Sequence, residues 1–356
     1  MNSPLPPPLR PLGPALAAVY RAGLNHNTRR FDRGQGVVTL DRPVISIGNL
    51  SVGGTGKSPM VANIVRTLRD AGHTPAIAMR GYKSTNGLSD EADSYTRALP
   101  EVPVIANPDR LHALLKHFAS EDGERTDCIV LDDGFQHRKL ARQLDLVLID
   151  ATRSPFDDRL LPAGFLREAT KALARATAVI ITHADRVDAT QHADLCARIE
   201  SLGPPIIAST THAWLGLDVF ENAADHAEPI AWLRGRRLAV VTAIGRPESV
   251  LAAARDAVGT DPAAVLTLPD HDPYAPSTLA RIERLVRDHA ASALLVTDKD
   301  WSKLRHKDPE RFGIPIARPR LGLGFLDGED RLARLVRTAA AQDPDDGPIN
   351  ADRPID

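Results

Sequence analysis

A glycine-rich turn with one lysine lies early in the chain, and its residues are of the types that hold phosphate groups. The segment Gly53-Gly54-Thr55-Gly56-Lys57-Ser58 follows the apolar run 44–47 and precedes a stretch with helical periodicity. Its glycines let successive N–H groups turn inward around an anion, and the helix N-terminus adds partial positive charge. Lys57 can reach the β- and γ-phosphates, and the Ser58 hydroxyl can ligate Mg²⁺. The segment predicts a nucleotide-phosphate site, although Ser51 stands where the pattern G-x-x-x-x-G-K-[ST] has its first glycine.

Two neighbouring carboxylates, Asp132 and Asp133, end the apolar run of the segment CIVLDDGFQH, 128–137. In proteins with a phosphate loop, an acid at the end of a buried strand holds Mg²⁺ directly or through water. Solvated turn acids are the alternative interpretation, but two adjacent acids at a strand end favour a cation. We therefore expect Asp132 and Asp133 to lie with Ser58 around a magnesium ion.

Phosphate binding alone fits kinases, GTPase switches and other nucleotide-binding proteins. A guanine-specific switch reads its base with N/T-K-x-D after a later strand, but the nearest candidate, THAD at 182–185, has His183 in place of lysine. A kinase needs a base for the acceptor hydroxyl. Asp90, in GLSDEADSY, and His271, in LPDHDPY, have suitable side chains, whereas a histidine in a polar turn is more often a surface residue.

Short apolar runs alternate with helical stretches, which predicts a parallel sheet with helices on both faces. The first series of runs is 44–47, 76–79, 102–106, 128–132, 145–150, 178–182 and 206–208. After a break at 214–229, a second series at 238–243, 264–268, 293–297 and 314–317 predicts a smaller α/β domain. The tail is acidic and proline-rich without apolar periodicity, so we predict that 341–356 is disordered.

Composition and charge limit the classes of protein to which this chain can belong. A chain of 356 residues with 43% apolar and 25% charged residues is typical of a soluble globular protein that can hold two domains. The formal net charge of −2 does not indicate a generalised nucleic-acid surface. Cys128 and Cys196 match neither a disulfide framework nor a metal spacing, which favours a reducing, cytoplasmic setting.

The segment 9–24 near the N-terminus is mostly apolar and is accompanied by arginines, and Asp32 is the only acid before position 41. Its apolar runs are shorter than the roughly 18 residues that a transmembrane helix needs. The segment predicts an amphipathic helix, which either packs on its own domain or lies in a membrane interface with anionic lipid. The residues alone leave both possibilities open.

The motifs taken together resemble one family, the tetraacyldisaccharide 4'-kinases, or lipid A 4'-kinases, of Gram-negative bacteria. The combination of GNLSVGGTGK, DDGFQH and LPAGFLRE is specific, and Ser51 is part of the match. The resembling stretches, from about residue 10 to 325, are ISIGNLSVGGTGKSPMV, AIAMRGYKS, SDEAD, DRLHA, VLDDGFQHRKLARQLDLVLIDA, LLPAGFLRE, LPDHDPY and LLVTDKDWSKL.

Pattern and resemblance together predict an α/β, P-loop NTPase fold of the RecA-like type, a mostly parallel sheet flanked by helices. The expected organisation is an N-terminal amphipathic, membrane-associated region (1–36), a P-loop kinase domain (37–215), a smaller α/β domain that closes the cleft (225–340) and the acidic tail (341–356).

The resemblance implies ATP-dependent, Mg²⁺-assisted phosphorylation of the 4'-hydroxyl of a tetraacyl glucosamine disaccharide 1-phosphate. Lys57 and the loop 53–58 would hold ATP, Asp90 would be the base, and His271 would pair with it. Other motif positions would line the substrate cleft: Asn49, Arg80, Tyr82, Arg110, Gln136, His137 and Arg167. The family implies a monomer at the cytoplasmic face of the inner membrane, with its N-terminal helix at the bilayer and without a nucleic-acid partner.

Some positions depart from the family pattern. The motif G-D-E-P reads Ser89-Asp90-Glu91-Ala92 here, so Asp93 is the alternative to Asp90, and Asp272 stands where a second polar ring residue is common. Other functions that fit a phosphate loop are a different small-molecule kinase or ligase, a GTPase or metallochaperone-type switch, and a membrane-associated ATP-binding regulator.

Overall fold

The chain divides into two compact units. A computed structural model describes residues 4–81, 90–245, 247–269 and 272–351. The first unit comprises Met1–His212 and Leu323–Asp356, and the second comprises Ala213–Gly322. The second unit is therefore an insertion in the first. This differs from the predicted boundary of the smaller domain at 225–340, because the last part of that range belongs to the first unit.

The elements follow the predicted alternation over most of the chain. The strands are β1 (Val44–Asn49), β2 (Pro75–Met79), β3 (Val104–Ala106), β4 (Cys128–Asp132), β5 (Leu144–Asp150), β6 (Ala178–Thr182), β7 (Ile206–Glu221), β8 (Ala224–Glu228), β9 (Leu238–Thr242), β10 (Ala264–Thr267), β11 (Ala293–Leu295) and β12 (Ile316–Asp327). The helices are α1 (Gly13–Asp32), α2 (Lys57–Asp70), α3 (Asp90–Ala98), α4 (Arg110–Phe118), α5 (Glu121–Arg125), α6 (Ala189–Glu200), α7 (Pro247–Val258), α8 (Pro276–Asp288), α9 (Asp298–Leu304) and α10 (Glu329–Ala340).

The sheet of the first unit has the order β7-β6-β5-β1-β4-β2-β3, and its strand pairs are parallel. Residues 146–149 of β5 form an uninterrupted apolar run because both faces of this strand are buried. Leu146 and Leu148 pack in the core that includes α2 and α10, whereas Val147 and Ile149 pack in the core that includes α1 and α6. The predicted mostly parallel sheet with helices on both faces is confirmed.

The second unit contains the parallel order β10-β9-β11-β12, with β7 beside β12. The predicted break at 214–229 was wrong, because these residues complete β7 and form an antiparallel hairpin with β8. Leu217 and Val219 are buried at alternating positions, as expected for a half-buried strand. Asn222 and Ala223 have φ of 52° and 59°, the backbone that a two-residue hairpin turn requires.

The C-terminal segment packs on the first unit. Apolar residues of α10, such as Leu332 and Leu335, join the core beside α2. Further on, the Ile349 N–H donates to the Gln143 carbonyl at 2.8 Å, and Gln143 Nε2 donates to the Pro344 carbonyl at 2.9 Å. The prediction of a disordered tail was therefore wrong for 341–351, because a few apolar and backbone contacts suffice to hold it; 352–356 lie outside the described residues.

Helix α1 packs on the first unit through one face. Ala17 is buried there, Tyr20 and Leu24 pack beside it, and Tyr20 Oη donates to the Arg167 carbonyl at 3.0 Å. Several large apolar side chains of this N-terminal region remain exposed instead: Leu9, Leu12, Leu16 and Val19. No helix in the described part of the chain is long and apolar enough to span a membrane.

Gly48 in β1 permits the turn after β4 to lie directly against that strand. A Cβ at this position would lie 2.5 Å from Phe135 Cβ and 2.6 Å from the Phe135 backbone nitrogen. We expect Gly48→Ala to destabilise the protein by about 1–3 kcal/mol, because the backbone of the turn must move. Thermal unfolding followed by circular dichroism measures this change.

Gly23→Ala is the matched control, since Gly23 lies within α1 and a Cβ there meets nothing within 4 Å. This substitution should raise stability by about 0.5–1 kcal/mol. Equal midpoints for the Gly48→Ala variant and the wild type would contradict the close approach.

Candidate active site

The phosphate loop lies between β1 and α2, and its backbone has the conformation that its glycines allow. Gly53 has φ of 116°, and Gly56, immediately before the helix, has φ of 81°. Both angles lie in a region that other residues rarely adopt. Lys57 is the first residue of α2, so the N–H groups of the first helical turn point toward the loop. The predicted strand–loop–helix order is therefore present.

Asn49 and Thr182 form hydrogen bonds to Thr55 of the phosphate loop. Asn49 Nδ2 donates to Thr55 Oγ1 at 2.9 Å, and Thr182 Oγ1 donates to the Thr55 carbonyl at 3.1 Å. Lys57 Nζ in turn donates to Asn49 Oδ1 at 3.3 Å. The structure thus shows Asn49, predicted to contact substrate, in contact with the loop and its lysine. Thr182 is a contact that the sequence analysis missed.

Asp133 connects the phosphate loop to two arginines. Its Oδ1 lies 3.5 Å from Lys57 Nζ, and its Oδ2 accepts from Arg167 Nη1 at 2.6 Å. The Asp133 carbonyl accepts from Arg110 Nη1 at 3.1 Å. Burial raises the pKa of this carboxyl, but Lys57 and Arg167 outweigh it and hold the pKa below its ordinary value. Asp133 is therefore ionised and balanced by cations.

Asp132 lies at the end of β4, beside Ile47 of the strand that leads into the phosphate loop. Its carboxylate is buried, and its Oδ2 accepts a hydrogen bond from Tyr95 Oη at 3.0 Å. Ser58, Asp132 and Asp133 offer hydroxyl and carboxylate oxygens, the donors that Mg²⁺ prefers. The donor set therefore fits a magnesium ion.

A cavity of about 620 Å³, hereafter the basic cavity, opens beside Asp133, and its volume lies in the range of small-molecule sites. The predicted substrate residues Arg80, Arg110, Gln136, His137 and Arg167 all line the basic cavity. Gln136 Nε2 also donates to the Asn49 carbonyl at 2.9 Å, which ties the cavity to the phosphate loop. The sequence analysis missed its opposite wall, which comes from α1 and consists of Tyr20, Leu24, Asn27, Thr28 and Phe31.

Positive charge dominates this cavity. Arg110 is almost fully buried, and burial lowers its pKa from the ordinary value. Burial, together with Arg110 and Arg142, lowers the pKa of His137 to about 4, so its imidazole is neutral at pH 7. Clustered arginines bind phosphate and carboxylate groups with directed hydrogen bonds. The cavity is therefore suited to an anionic ligand.

Arg142 shapes the turn that carries Asp133, Gln136 and His137, and sequence reasoning missed it. Its Nη1 donates to the Gly134 carbonyl at 2.9 Å, and its Nη2 donates to the His137 carbonyl at 2.6 Å. Its guanidinium also pairs with Asp145 at 3.3 Å.

Not every predicted site residue can be placed. Tyr82 and His271 lie outside the described residues, and of Asp90 the structure describes only its place as the first residue of α3. Asp93, the alternative base, is exposed and forms an ion pair with Arg97 at 3.3 Å.

His183, at the lysine position of a guanine-reading motif, is buried at the end of β6. Its Nδ1 lies 3.2 Å from Asp150 Oδ1. Burial raises the pKa of Asp150, but the interactions of its carboxylate with His183 and Thr152 together outweigh burial and lower that pKa. The pair joins the ends of β5 and β6, which disfavours a guanine-reading role.

Comparisons with known proteins agree on one family. A family model described as tetraacyldisaccharide-1-P 4'-kinase matches residues 9–336. A tetraacyldisaccharide 4'-kinase of Chlorobium phaeovibrioides is 35% identical over 311 residues, covering 82% of this chain and 84% of the relative. One of Anaeromyxobacter dehalogenans strain 2CP-1 is 34% identical over 348 residues, covering 91% and 89%.

Among solved structures, that of LpxK from Aquifex aeolicus in complex with ATP is similar to this chain, with a TM-score of 0.68 and 25% sequence identity. The likeness covers 93% of this chain and 99% of that protein.

The depressed pKa of His137 predicts a pH dependence of stability. The unfolded imidazole takes up a proton near pH 6.5, whereas the folded one does so only near pH 4. Between these values only the unfolded state is protonated, so His137 lowers the free energy of unfolding as the pH falls from about 6.5 to about 4. Thermal midpoints measured across this range should fall less steeply in His137→Gln. The control is His112→Gln, which removes an exposed imidazole, and identical slopes for wild type and His137→Gln would refute the assignment.

Proposed function

This chain belongs to the tetraacyldisaccharide-1-P 4'-kinase family and is an ATP-dependent lipid A 4'-kinase. We propose a role in this reaction for each residue of the site. The reaction moves the γ-phosphoryl group of ATP to the 4'-hydroxyl of a tetraacyl glucosamine disaccharide 1-phosphate. The P–O bond to the leaving ADP breaks as the bond to the acceptor oxygen forms. The observation that carries the proposal is the contact chain from Lys57 through Asp133 to Arg167.

The phosphate loop holds the nucleotide. The N–H groups of residues 53–58 surround the phosphates, and Lys57 balances the charge at the β- and γ-positions. Ser58, Asp132 and Asp133 hold Mg²⁺, which neutralises phosphate charge when it is bound. Lys57 Nζ lies 3.5 Å from Asp133 Oδ1, so the lysine that balances the phosphates is adjacent to a carboxylate that holds the ion.

The basic cavity beside Asp133 holds the acceptor. Arg80, Arg110 and Arg167 balance the anionic disaccharide, and the neutral imidazole of His137 and the amide of Gln136 are suited to sugar hydroxyls. Asp90 takes the proton from the 4'-hydroxyl, with His271 as its partner. These two roles rest on the resemblance of their motifs to those of the family.

The protein acts as a monomer at the cytoplasmic face of the inner membrane. The support is the exposed apolar row of Leu9, Leu12, Leu16 and Val19, which recurs at helical spacing with Arg10 and Arg21 nearby. Such a surface binds an interface with its apolar side chains and is attracted to anionic lipid through its arginines. Other residues of α1, such as Tyr20 and Leu24, line the basic cavity, so an acylated substrate can reach the site from the bilayer.

A labelling assay tests the kinase assignment. We expect γ-³²P-ATP with Mg²⁺ to label a tetraacyl disaccharide 1-phosphate in detergent micelles, and Lys57→Ala to reduce the rate by at least about 100-fold through loss of phosphate charge balance. Arg66→Ala, on the exposed side of α2, is the control. ATP hydrolysis without lipid labelling, from folded protein with dispersed substrate, would instead support a nucleotide-dependent switch.

A vesicle assay tests the membrane surface. The double variant Leu12→Ser/Leu16→Ser should sediment less with vesicles that contain anionic phospholipid, because it removes apolar side chains that would enter the interface. Val265→Ser/Leu321→Ser removes two exposed apolar side chains of the second unit and serves as the control. Equal sedimentation of both variants and the wild type would contradict a role for the exposed N-terminal apolar row in membrane binding.

A further inference from the structure

Tyr95 makes a buried contact that the assigned roles do not explain. Its side chain is only 2% exposed, and its hydroxyl donates to Asp132 Oδ2 at 3.0 Å. A phenol buried this deeply needs a partner for its O–H group. The partner here is the carboxylate at the end of β4, beside the strand of the phosphate loop.

The same residue fixes helix α3. Ala92, Tyr95 and Leu99 pack α3 and the residue after it into the core that includes Met60 and Ile64 of α2. Position 90, the first of this helix, precedes Tyr95 by five residues, which corresponds to about 7.5 Å along a helix axis. The Tyr95 hydroxyl thus links the helix that begins at Asp90 to the carboxylate of Asp132.

We propose that Tyr95 is a positioning residue that orients the Asp132 carboxylate toward the metal ion and fixes α3 relative to it. The inference rests on the proposed function, in which Asp132 holds Mg²⁺ and Asp90 takes the proton. A bond to Oδ2 restricts rotation of the carboxylate, so its other oxygen keeps one direction. Groups that hydrogen-bond to a metal ligand in this way typically change metal affinity by about 10–100-fold when they are lost.

Packing alone is the competing explanation for the buried ring. Tyr95→Phe separates the two, because it keeps the ring in the core and removes only the oxygen. Thr96→Val is the matched control, since it removes a hydroxyl from the same helix, and among the described residues that hydroxyl donates to the Ala92 carbonyl of the helix itself at 3.1 Å.

The direct measurement is Mn²⁺ binding to the ADP complex, followed by electron paramagnetic resonance with Mn²⁺ as the probe for Mg²⁺. We expect Tyr95→Phe to weaken Mn²⁺ binding by about 10-fold, with an unchanged affinity for ADP in the presence of a chelator. In kinase assays the Mg²⁺ concentration for half-maximal rate should rise, and saturating Mg²⁺ should restore most of kcat. Thr96→Val should match the wild type in every measurement.

A double variant tests whether the effect of Tyr95→Phe depends on the Asp132 carboxylate. In Asp132→Asn, adding Tyr95→Phe should change Mn²⁺ affinity no further, because the oriented carboxylate is already lost. Wild-type Mn²⁺ affinity in Tyr95→Phe would overturn the positioning role while leaving the kinase assignment intact. Failure of the wild-type protein to bind Mn²⁺ with nucleotide, or to phosphorylate the lipid, would instead overturn the proposed function on which this inference rests.

Discussion

The Asp133 carboxylate is the constraint around which the site is built. It is largely buried, so it needs cations close by, and Lys57 and Arg167 supply them from segments far apart in the chain. Arg110 adds a bond to its backbone carbonyl. One residue, Asp133, therefore contacts the lysine of the phosphate loop and two arginines of the basic cavity. A change in any of them alters the electrostatic balance of the others.

This arrangement also depends on strand order. Because β1 lies between β4 and β5, the phosphate loop and the turn after β4 emerge at adjacent carboxyl ends. Gly48 lets Phe135 approach the backbone of β1, and Arg142 holds the carbonyls of that turn. The strand order brings the phosphate loop close to the turn after β4, and Gly48 and Arg142 determine how the backbone of that turn is placed.

Sequence alone predicted most of the architecture, since buried parallel strands produce long apolar runs. It failed for β8 and the later part of β7, where one face is solvated and the alternation of Leu217 and Val219 is interrupted by other apolar residues. It failed again for the segment that contains Ile349, because a few long-range hydrogen bonds leave no periodic signal. Local pattern identifies elements that bury whole faces, and it misses those fixed by isolated contacts.

The same distinction applies to the site. The phosphate loop, the acid pair and the arginines of the cavity carry recognisable motifs, and the structure brings the described ones together. Tyr95, Thr182 and Arg142 carry no such signal, because they act through partners distant in the sequence or through backbone carbonyls. Such positioning contacts depend on tertiary geometry, which composition and spacing do not encode.

The insertion of the second unit has a consequence for synthesis. Ile64 and Leu68 of α2 are covered in part by Leu335 and Val336 of α10, yet the ribosome makes Ala213–Gly322 between them. A nascent chain therefore carries an apolar surface on α2 until α10 has been synthesised, and such surfaces favour aggregation and chaperone binding. The helix that begins at Lys57 therefore gains its full packing only after the residues of α10 have left the ribosome.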